Sequence, residues 1–350
     1  MARRVWFHIA TPKTGTTYLQ SILWANRDAL REARVLLPGR NRRDHWWSTL
    51  VLREDPKIHQ KPPGALRAWD RVVADCATWD GDAVISNELF GPATVDQARL
   101  AVESLAPAEV HLVVTARNPL AVLTAAWQEL LRYRGITTPL AEFDLAAPAE
   151  PEDPWRWSNL DAAEVLARWG GTVPADQVHV MPVPGPGHPR DELWRRFAGL
   201  IGVDPAAYDL GSSFGNSSMG LVETEVLRRV NEHLAGALTG RERAQWIRDY
   251  VCKEFLVPRG GVRPVPPAHR IEECRVRGEA AVKVVRDAGY DVVGDLDDLR
   301  VPGEVGEPSR PVTEGEVAEA STGLVAWMLR SMRDADREEA ERESEGEAAP

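Results

Sequence analysis

The opening of the chain constrains its fold most. Val5 to Ala10 is a short apolar run with β-branched and aromatic residues, and it stops at Thr11-Pro12-Lys13-Thr14-Gly15. Such a run reads as a buried strand, and the Pro and Gly behind it read as a turn. From Thr16 the apolar positions Tyr18, Leu19, Ile22, Leu23, Ala29 and Leu30 recur at steps of three and four, which is a helical period. The chain therefore begins strand, tight loop, helix. The alternation continues. Gly64–Trp79 reads as an amphipathic helix, Ala83–Ser86 as a strand, a helix follows near Val95–Leu105, and Val110–Ala116 is the clearest strand of all. Leu120–Tyr133 continues as helix, Gln177–Val183 as a fourth strand and Arg190–Ile201 as helix. Strands alternating with helices predict an α/β fold, a doubly wound parallel sheet with helices on both faces. Ligands of such sheets bind beyond the carboxyl ends of the strands, and Lys13, Glu88 and Arg117 all fall at such ends.

Past Gly202 the pattern turns mainly helical, with helices over Leu221–Leu234, Arg241–Phe255 and Arg270–Ala288 and a loop rich in Pro, Gly and Arg at Val257–Pro267. The expected organisation is one α/β domain over 1–300, with a helical subregion from about 203 to 300. A linker and helix follow over 301–333, and then an acidic tail over 334–350. The tail holds eight acidic residues against two arginines and few apolar side chains, so it is expected to be a frayed helix or a disordered tail. Gly135–Trp157 is irregular and is expected to loop over one end of the sheet.

Composition narrows the function classes. The formal net charge is −11, which lacks the basic excess of a generic nucleic-acid binder but leaves room for a local pocket for one small anion. No apolar run approaches the roughly 18 residues that a membrane-spanning helix needs. Cys76, Cys252 and Cys274 are widely spaced and odd in number, which suits a reducing compartment and offers neither a disulfide framework nor metal spacing. The apolar stretch after Arg3 and Arg4 is too short for a secretory signal, so a cytoplasmic protein is expected.

The loop at 11–17 carries chemistry. Amides at a helix start point outward without partners, and the helix dipole favours an anion there. Gly15 lets the backbone come close to a ligand, Lys13 adds a full charge, and Thr16 and Thr17 add hydroxyl donors. Two readings stand at this point: a phosphate or sulfate site, or a plain strand–helix turn with a solvated lysine. The Walker A pattern places its Lys after the second Gly, whereas Lys13 precedes Gly15. That ordering weakens a nucleoside-triphosphate reading. Arg117-Asn118-Pro119 follows the strongest strand; a guanidinium there either forks onto a phosphate or pairs with a carboxylate such as Glu88 or Glu129.

Pro12-Lys13-Thr14-Gly15-Thr16-Thr17 resembles the 5′-phosphosulfate loop of sulfotransferases that use 3′-phosphoadenosine-5′-phosphosulfate (PAPS), matching the family pattern Pro-Lys-Ser/Thr-Gly-Thr-Thr at every position. The resemblance implies a P-loop-like fold, to which the pattern past Gly202 adds a helical C-terminal extension. It implies Lys13 on the 5′-phosphate and bridging oxygen, with Thr14, Gly15, Thr16 and Thr17 cradling the phosphate. It also implies Arg117 on the 3′-phosphate, where the family has Arg-Asn-Pro and then a Ser eight residues after the Arg. Position 125 is Ala here; Thr124 stands one residue early and is the candidate in its place. Arg259-Gly260-Gly261 echoes part of the family's late Arg-Lys-Gly segment and makes Arg259 a further candidate. The implied activity is transfer of a sulfuryl group from PAPS to a hydroxyl or amine of a small-molecule or carbohydrate-like acceptor, without a metal, nucleic acid or membrane. Two alternatives stay open: a P-loop-like nucleotide kinase or NTPase, and a non-catalytic nucleotide-binding protein of the same fold.

Sulfuryl transfer needs a base for the acceptor's proton. Glu88, at the end of the strand Ala83–Ser86, is the preferred candidate, the other reading being a fixed ion partner of a nearby cation. His45, read as part of a loop Asp44-His45-Trp46-Trp47, is the second. His8 alternates within a buried strand and reads as a hydrogen-bonded core group, as does His111. Trp46, Trp47, Trp155 and Trp157 fall in irregular segments and read either as stacking faces or as loop anchors, whereas Trp24, Trp69, Trp127, Trp169 and Trp194 fit helical core faces.

Overall fold

The structure, a computed structural model, describes residues 1–9, 11–146, 154–211 and 218–347. Ala10, expected to close the first strand, part of the expected loop at 135–157, and the last three residues of the acidic tail lie outside that set. The elements run β1 (Arg4–His8), α1 (Thr16–Ala25), α2 (Arg27–Glu32), β2 (Val35–Leu36), α3 (Arg42–Leu52), α4 (Ala68–Thr78), β3 (Asp82–Ser86), α5 (Val95–Glu103), β4 (Glu109–Ala116) and α6 (Pro119–Tyr133). They continue with α7 (Trp157–Leu160), α8 (Ala162–Trp169), β5 (Val178–Pro182), α9 (Glu192–Ile201), α10 (Leu221–Leu234), α11 (Gly240–Glu242), α12 (Val257–Arg259), α13 (Ala268–Ala288), β6 (Asp291–Val292) and α14 (Glu314–Glu347).

The chain divides into two compact units: residues 1–123, 144–215 and 269–305 form the first, and 124–143, 216–268 and 306–350 the second. In the first unit six parallel strands pair in the order β2-β3-β1-β4-β5-β6. This is an α/β architecture with helices on both sheet faces. Alternation along each strand sends one set of side chains to each face. Val5, Phe7, Ala83, Ile85, Leu112, Val114 and Val180 pack with α4, α5, α8 and α13. Trp6, Val84, Val113 and Met181 pack with α1 and α9. Phe7 meets Phe90 and Trp169 edge-on, with ring centroids 4.8 and 5.4 Å away. All three rings are fully buried, and truncating any one to Ala costs about 3–5 kcal/mol.

The two outer strands were not expected. Val35–Leu36 and Asp291–Val292 each have two residues, too few to show a period, and they exist by pairing with β3 and β5. The helix expected over Gly64–Trp79 starts with a 3₁₀ turn at Pro63–Arg67 before α4.

The second unit takes the last ten residues of α6 together with α10–α12 and α14. Asn231 of α10 donates to the carbonyls of Leu131 and Ile136 at 2.9 and 3.1 Å and accepts from Arg243 at 2.9 Å. Arg243–Leu256 is a π-helix rather than the ordinary helix its spacing predicts. Tyr250 and Phe255 project from it onto Trp327 of α14, at 4.6 and 5.4 Å. The segment from Asp334, expected to be either a frayed helix or a disordered tail, continues α14 as helix to Glu347; Ala, Glu and Arg dominate it and all favour helix.

Candidate functional site

The loop after β1 is shaped by its own backbone. Thr11 is tied to β4: its amide and hydroxyl both donate to the Thr115 carbonyl, at 3.2 and 3.3 Å. Two residues later Lys13 adopts φ +68°, and Gly15 follows at φ +83°. A left-handed non-glycine residue is uncommon and persists only where its surroundings hold it. Gly15 is required twice over, because its φ suits glycine and a Cβ there would lie 2.5 Å from Leu193 Cδ2. Alternating hand along a short loop gathers amides into an anion-binding concavity.

The loop runs directly into the N-terminus of α1. Gly15 as N-cap offers no side-chain cap, and the first turn has no acidic residue. Thr16 is buried, and its hydroxyl has no hydrogen-bond partner among the described residues. Thr17 is exposed beside it. An orphaned buried hydroxyl next to uncapped amides at the positive end of a helix fits an anionic oxygen.

Beneath the loop lies a row of buried polar groups. Ser86 Oγ sits 2.9 Å from His8 Nδ1, His8 Nε2 sits 3.1 Å from Thr115 Oγ1, and Thr115 Oγ1 sits 2.7 Å from Thr14 Oγ1. Thr14 Oγ1 donates to the Thr11 carbonyl at 2.5 Å. Burial pushes the His8 imidazole down to about 3, so it is neutral at physiological pH.

Glu88 lies two residues past the end of β3, in a 3₁₀ turn capped by Asn87, whose side chain accepts from the Leu89 amide. It is half-buried. Gln20, a fully buried residue of α1, donates to Glu88 Oε2 at 3.1 Å and to the Ser86 carbonyl at 3.3 Å. The helix that opens the loop therefore also holds the carboxylate. Gln20 belongs to the loop-to-helix segment yet has no partner visible in sequence, because Glu88 is 68 residues away.

His45 is on helix α3, not in a loop. Asn41 caps that helix by accepting from the Arg43 amide. The ring is fully buried and both nitrogens are engaged: Nε2 with the Pro38 carbonyl at 2.8 Å, and Nδ1 with the Ser86 amide at 3.2 Å. Burial lowers it to about 4. Since Nδ1 accepts from the Ser86 amide, His45 has no lone pair to offer an acceptor's proton. It supports the end of β3.

Arg117 leaves the end of β4, the strand beside β1, two residues after the Thr115 that anchors Thr11. Lys13 and Arg117 thus leave adjacent strands at the same sheet edge. Asn118 accepts from the Ala121 amide and caps α6. Thr124 lies further along α6 and Arg259 on α12, both in the second unit. There the Arg259 guanidinium pairs with buried Glu223 at 3.1 Å and stacks over Phe255 at 5.5 Å. Trp157 is an anchor, donating to Glu273 at 2.8 Å beneath the Arg277 guanidinium.

No family model, curated protein or solved structure matches this chain. No helix among the described residues is long and apolar enough to cross a membrane.

Proposed function

We propose that the chain is a sulfotransferase with a P-loop-like α/β domain, moving a sulfuryl group from PAPS to a hydroxyl or amine of a small-molecule or carbohydrate-like acceptor. The observation that carries this reading is the loop itself: left-handed Lys13 and Gly15, an uncapped α1 and the orphaned Thr16 hydroxyl. PAPS supplies an activated sulfuryl group whose departure leaves a bisphosphorylated nucleoside. Lys13, the amides of residues 14–17 and the Thr16 and Thr17 hydroxyls hold negative charge where the bond breaks, and that is where fixed donors lower a barrier most; the Thr14 hydroxyl, expected to join them, is instead spent on the Thr11 carbonyl. The Arg117 guanidinium holds the 3′-phosphate by charge-assisted hydrogen bonds. Glu88, steadied on one oxygen by Gln20, takes the acceptor's proton on the other. A reducing, cytoplasmic setting belongs to the same proposal and is supported by three buried free thiols.

Titration calorimetry with adenosine 3′,5′-bisphosphate, set against ATP with Mg²⁺, tests the reading. The bisphosphate is expected to bind and ATP with Mg²⁺ much more weakly; preference for ATP would replace this proposal with a kinase or NTPase. Glu88→Gln is expected to leave bisphosphate affinity intact and to cut sulfate transfer by roughly 10²–10⁴-fold, the usual range for a lost general base.

A further inference from the structure

We propose that His8 is a positioning residue for the anion loop: in its Nε2–H tautomer it closes a one-way hydrogen-bond chain that runs from Ser86 to the Thr11 carbonyl and holds Lys13 in its left-handed conformation, with Gly15 next in the chain. The role of the loop rests on the function proposed above; the chain itself does not.

The direction of every proton in the row follows from its last member. A carbonyl only accepts, so the Thr14 hydroxyl must donate to Thr11. A hydroxyl has one proton, so Thr14 Oγ1 can only accept from Thr115. The Thr115 proton is then used, and Thr115 Oγ1 must accept from His8 Nε2–H. A neutral imidazole carries one proton, so His8 Nδ1 is bare and accepts from Ser86 Oγ–H. His45 repeats the logic one step further. Its Nε2–H donates to Pro38, so its Nδ1 accepts from the Ser86 amide. Ser86 is thereby gripped by two neutral histidines, and the Gln20 amide holds its carbonyl.

This chain does more than satisfy buried groups. It crosses the ends of β3, β1 and β4 and finishes inside the loop, on either side of Pro12 and Lys13. Thr11 and Thr14 are its last two members, so the row closes the loop into a ring whose size fixes the backbone between them. Nothing else in the row titrates, since its other members are hydroxyls and a carbonyl.

Long-range ¹H–¹⁵N NMR of the full chain tests the tautomer without any ligand. His8 is expected to be protonated at Nε2 and bare at Nδ1 from pH 7 to pH 5; an Nδ1–H tautomer or an imidazolium in that range overturns the inference. Two variants test the positioning. Thr115→Val keeps the shape and removes the hydroxyl, and Thr115→Ser restores it. In Thr115→Val the Lys13 and Gly15 amide resonances are expected to move and bisphosphate affinity to fall about tenfold, the scale of one lost hydrogen bond. In Thr115→Ser both return to near the wild-type values. A row that only satisfied buried groups would lower the melting temperature of Thr115→Val while leaving the loop resonances and the affinity unmoved, and that result also overturns the inference. Should wild type bind no bisphosphate while the tautomer and loop resonances behave as stated, the proposed function falls and the positioning chain stands.

Discussion

Two buried histidine arrangements share one face of the sheet and behave as opposites. At the strand ends, His8 is fully buried and both of its nitrogens meet hydroxyls. Towards the strand starts, His111 and His179 face each other, with His111 Nδ1 2.8 Å from His179 Nε2 and His179 Nδ1 2.7 Å from Asp291. A carboxylate only accepts, so His179 donates to Asp291 and His111 donates to His179. His111 Nε2 is left bare, buried and without a hydrogen-bond partner among the described residues, 3.5 Å from Glu109. An added proton there would have a carboxylate to meet. At His8 it would meet only hydroxyls among the described residues and would break a chain whose every donor is committed. Burial lowers both His8 and His111, but only His111 is pulled back up by a carboxylate, Glu109. At the sheet edge that carries the candidate site, His8 is thus the imidazole that burial alone keeps neutral.

The contrast breaks most completely at Gly15. Gly15→Val demands a branched residue at φ +83° with its Cβ against Leu193. Bisphosphate affinity is expected to drop by roughly a hundredfold or more, equivalent to about 2.7 kcal/mol. Calorimetry reads this, with circular dichroism to show that the sheet persists. Affinity within threefold of wild type would mean the loop's hand is irrelevant to binding.

Acid should separate the two arrangements next. His8 falls to about 3 and His45 to about 4, both below an unfolded histidine near 6.5. Between those values the unfolded chain binds protons that the folded chain refuses. The stability these residues supply is therefore complete above about pH 6.5 and is lost as pH falls towards their folded values, by on the order of a few kcal/mol per histidine. Urea melts of wild type and His8→Gln at pH 7, 5.5 and 4 check this, with other titrating groups common to both. The variant, less stable at pH 7, is expected to lose less on acidification; parallel curves would remove His8 from the acid response.

What was legible in the sequence divides along a physical line. Val110–Ala116 announces a buried strand because its side chains alone require it, and the Pro and Gly around Lys13 announce a turn for the same reason. Local chemistry also placed Lys13, Glu88 and Arg117 at strand ends. His8 read correctly as a hydrogen-bonded core group, but its partners Ser86 and Thr115 are 78 and 107 residues away, so the row that joins them was invisible. His45 was misplaced because charged Arg42–Asp44 and the Trp46-Trp47 pair hide a helix that Asn41 caps and tertiary packing stabilises. The π-helix at Arg243–Leu256 has apolar spacing close enough to an ordinary helix that only its hydrogen bonds tell them apart.

A smaller effect sharpens what the site edge recognises. Arg117→Ala should weaken adenosine 3′,5′-bisphosphate by about tenfold or more, the worth of a charge-assisted hydrogen bond, and hardly touch adenosine 5′-phosphosulfate. Equal losses for the two nucleotides would take Arg117 out of 3′-phosphate recognition.

The smallest expected change belongs to the far arrangement. Glu109 is about half exposed, with a side-chain accessibility of 53%, and its only service to His111 is to draw a proton towards Nε2. Glu109→Gln removes that pull and leaves burial, His179 and the Arg4 guanidinium all lowering the imidazole, so the His111 titration is expected to move further down. Because the carboxylate is solvated, folding stability should change by no more than about 0.5 kcal/mol. The His8 tautomer should not change, since its hydrogen-bond partners, Ser86 and Thr115, are not shared with His111 or His179. An NMR titration of all three imidazoles decides it: a His111 midpoint that stays put or rises would show that Glu109 does not sense the pair, and the asymmetry between the two ends would then be burial alone.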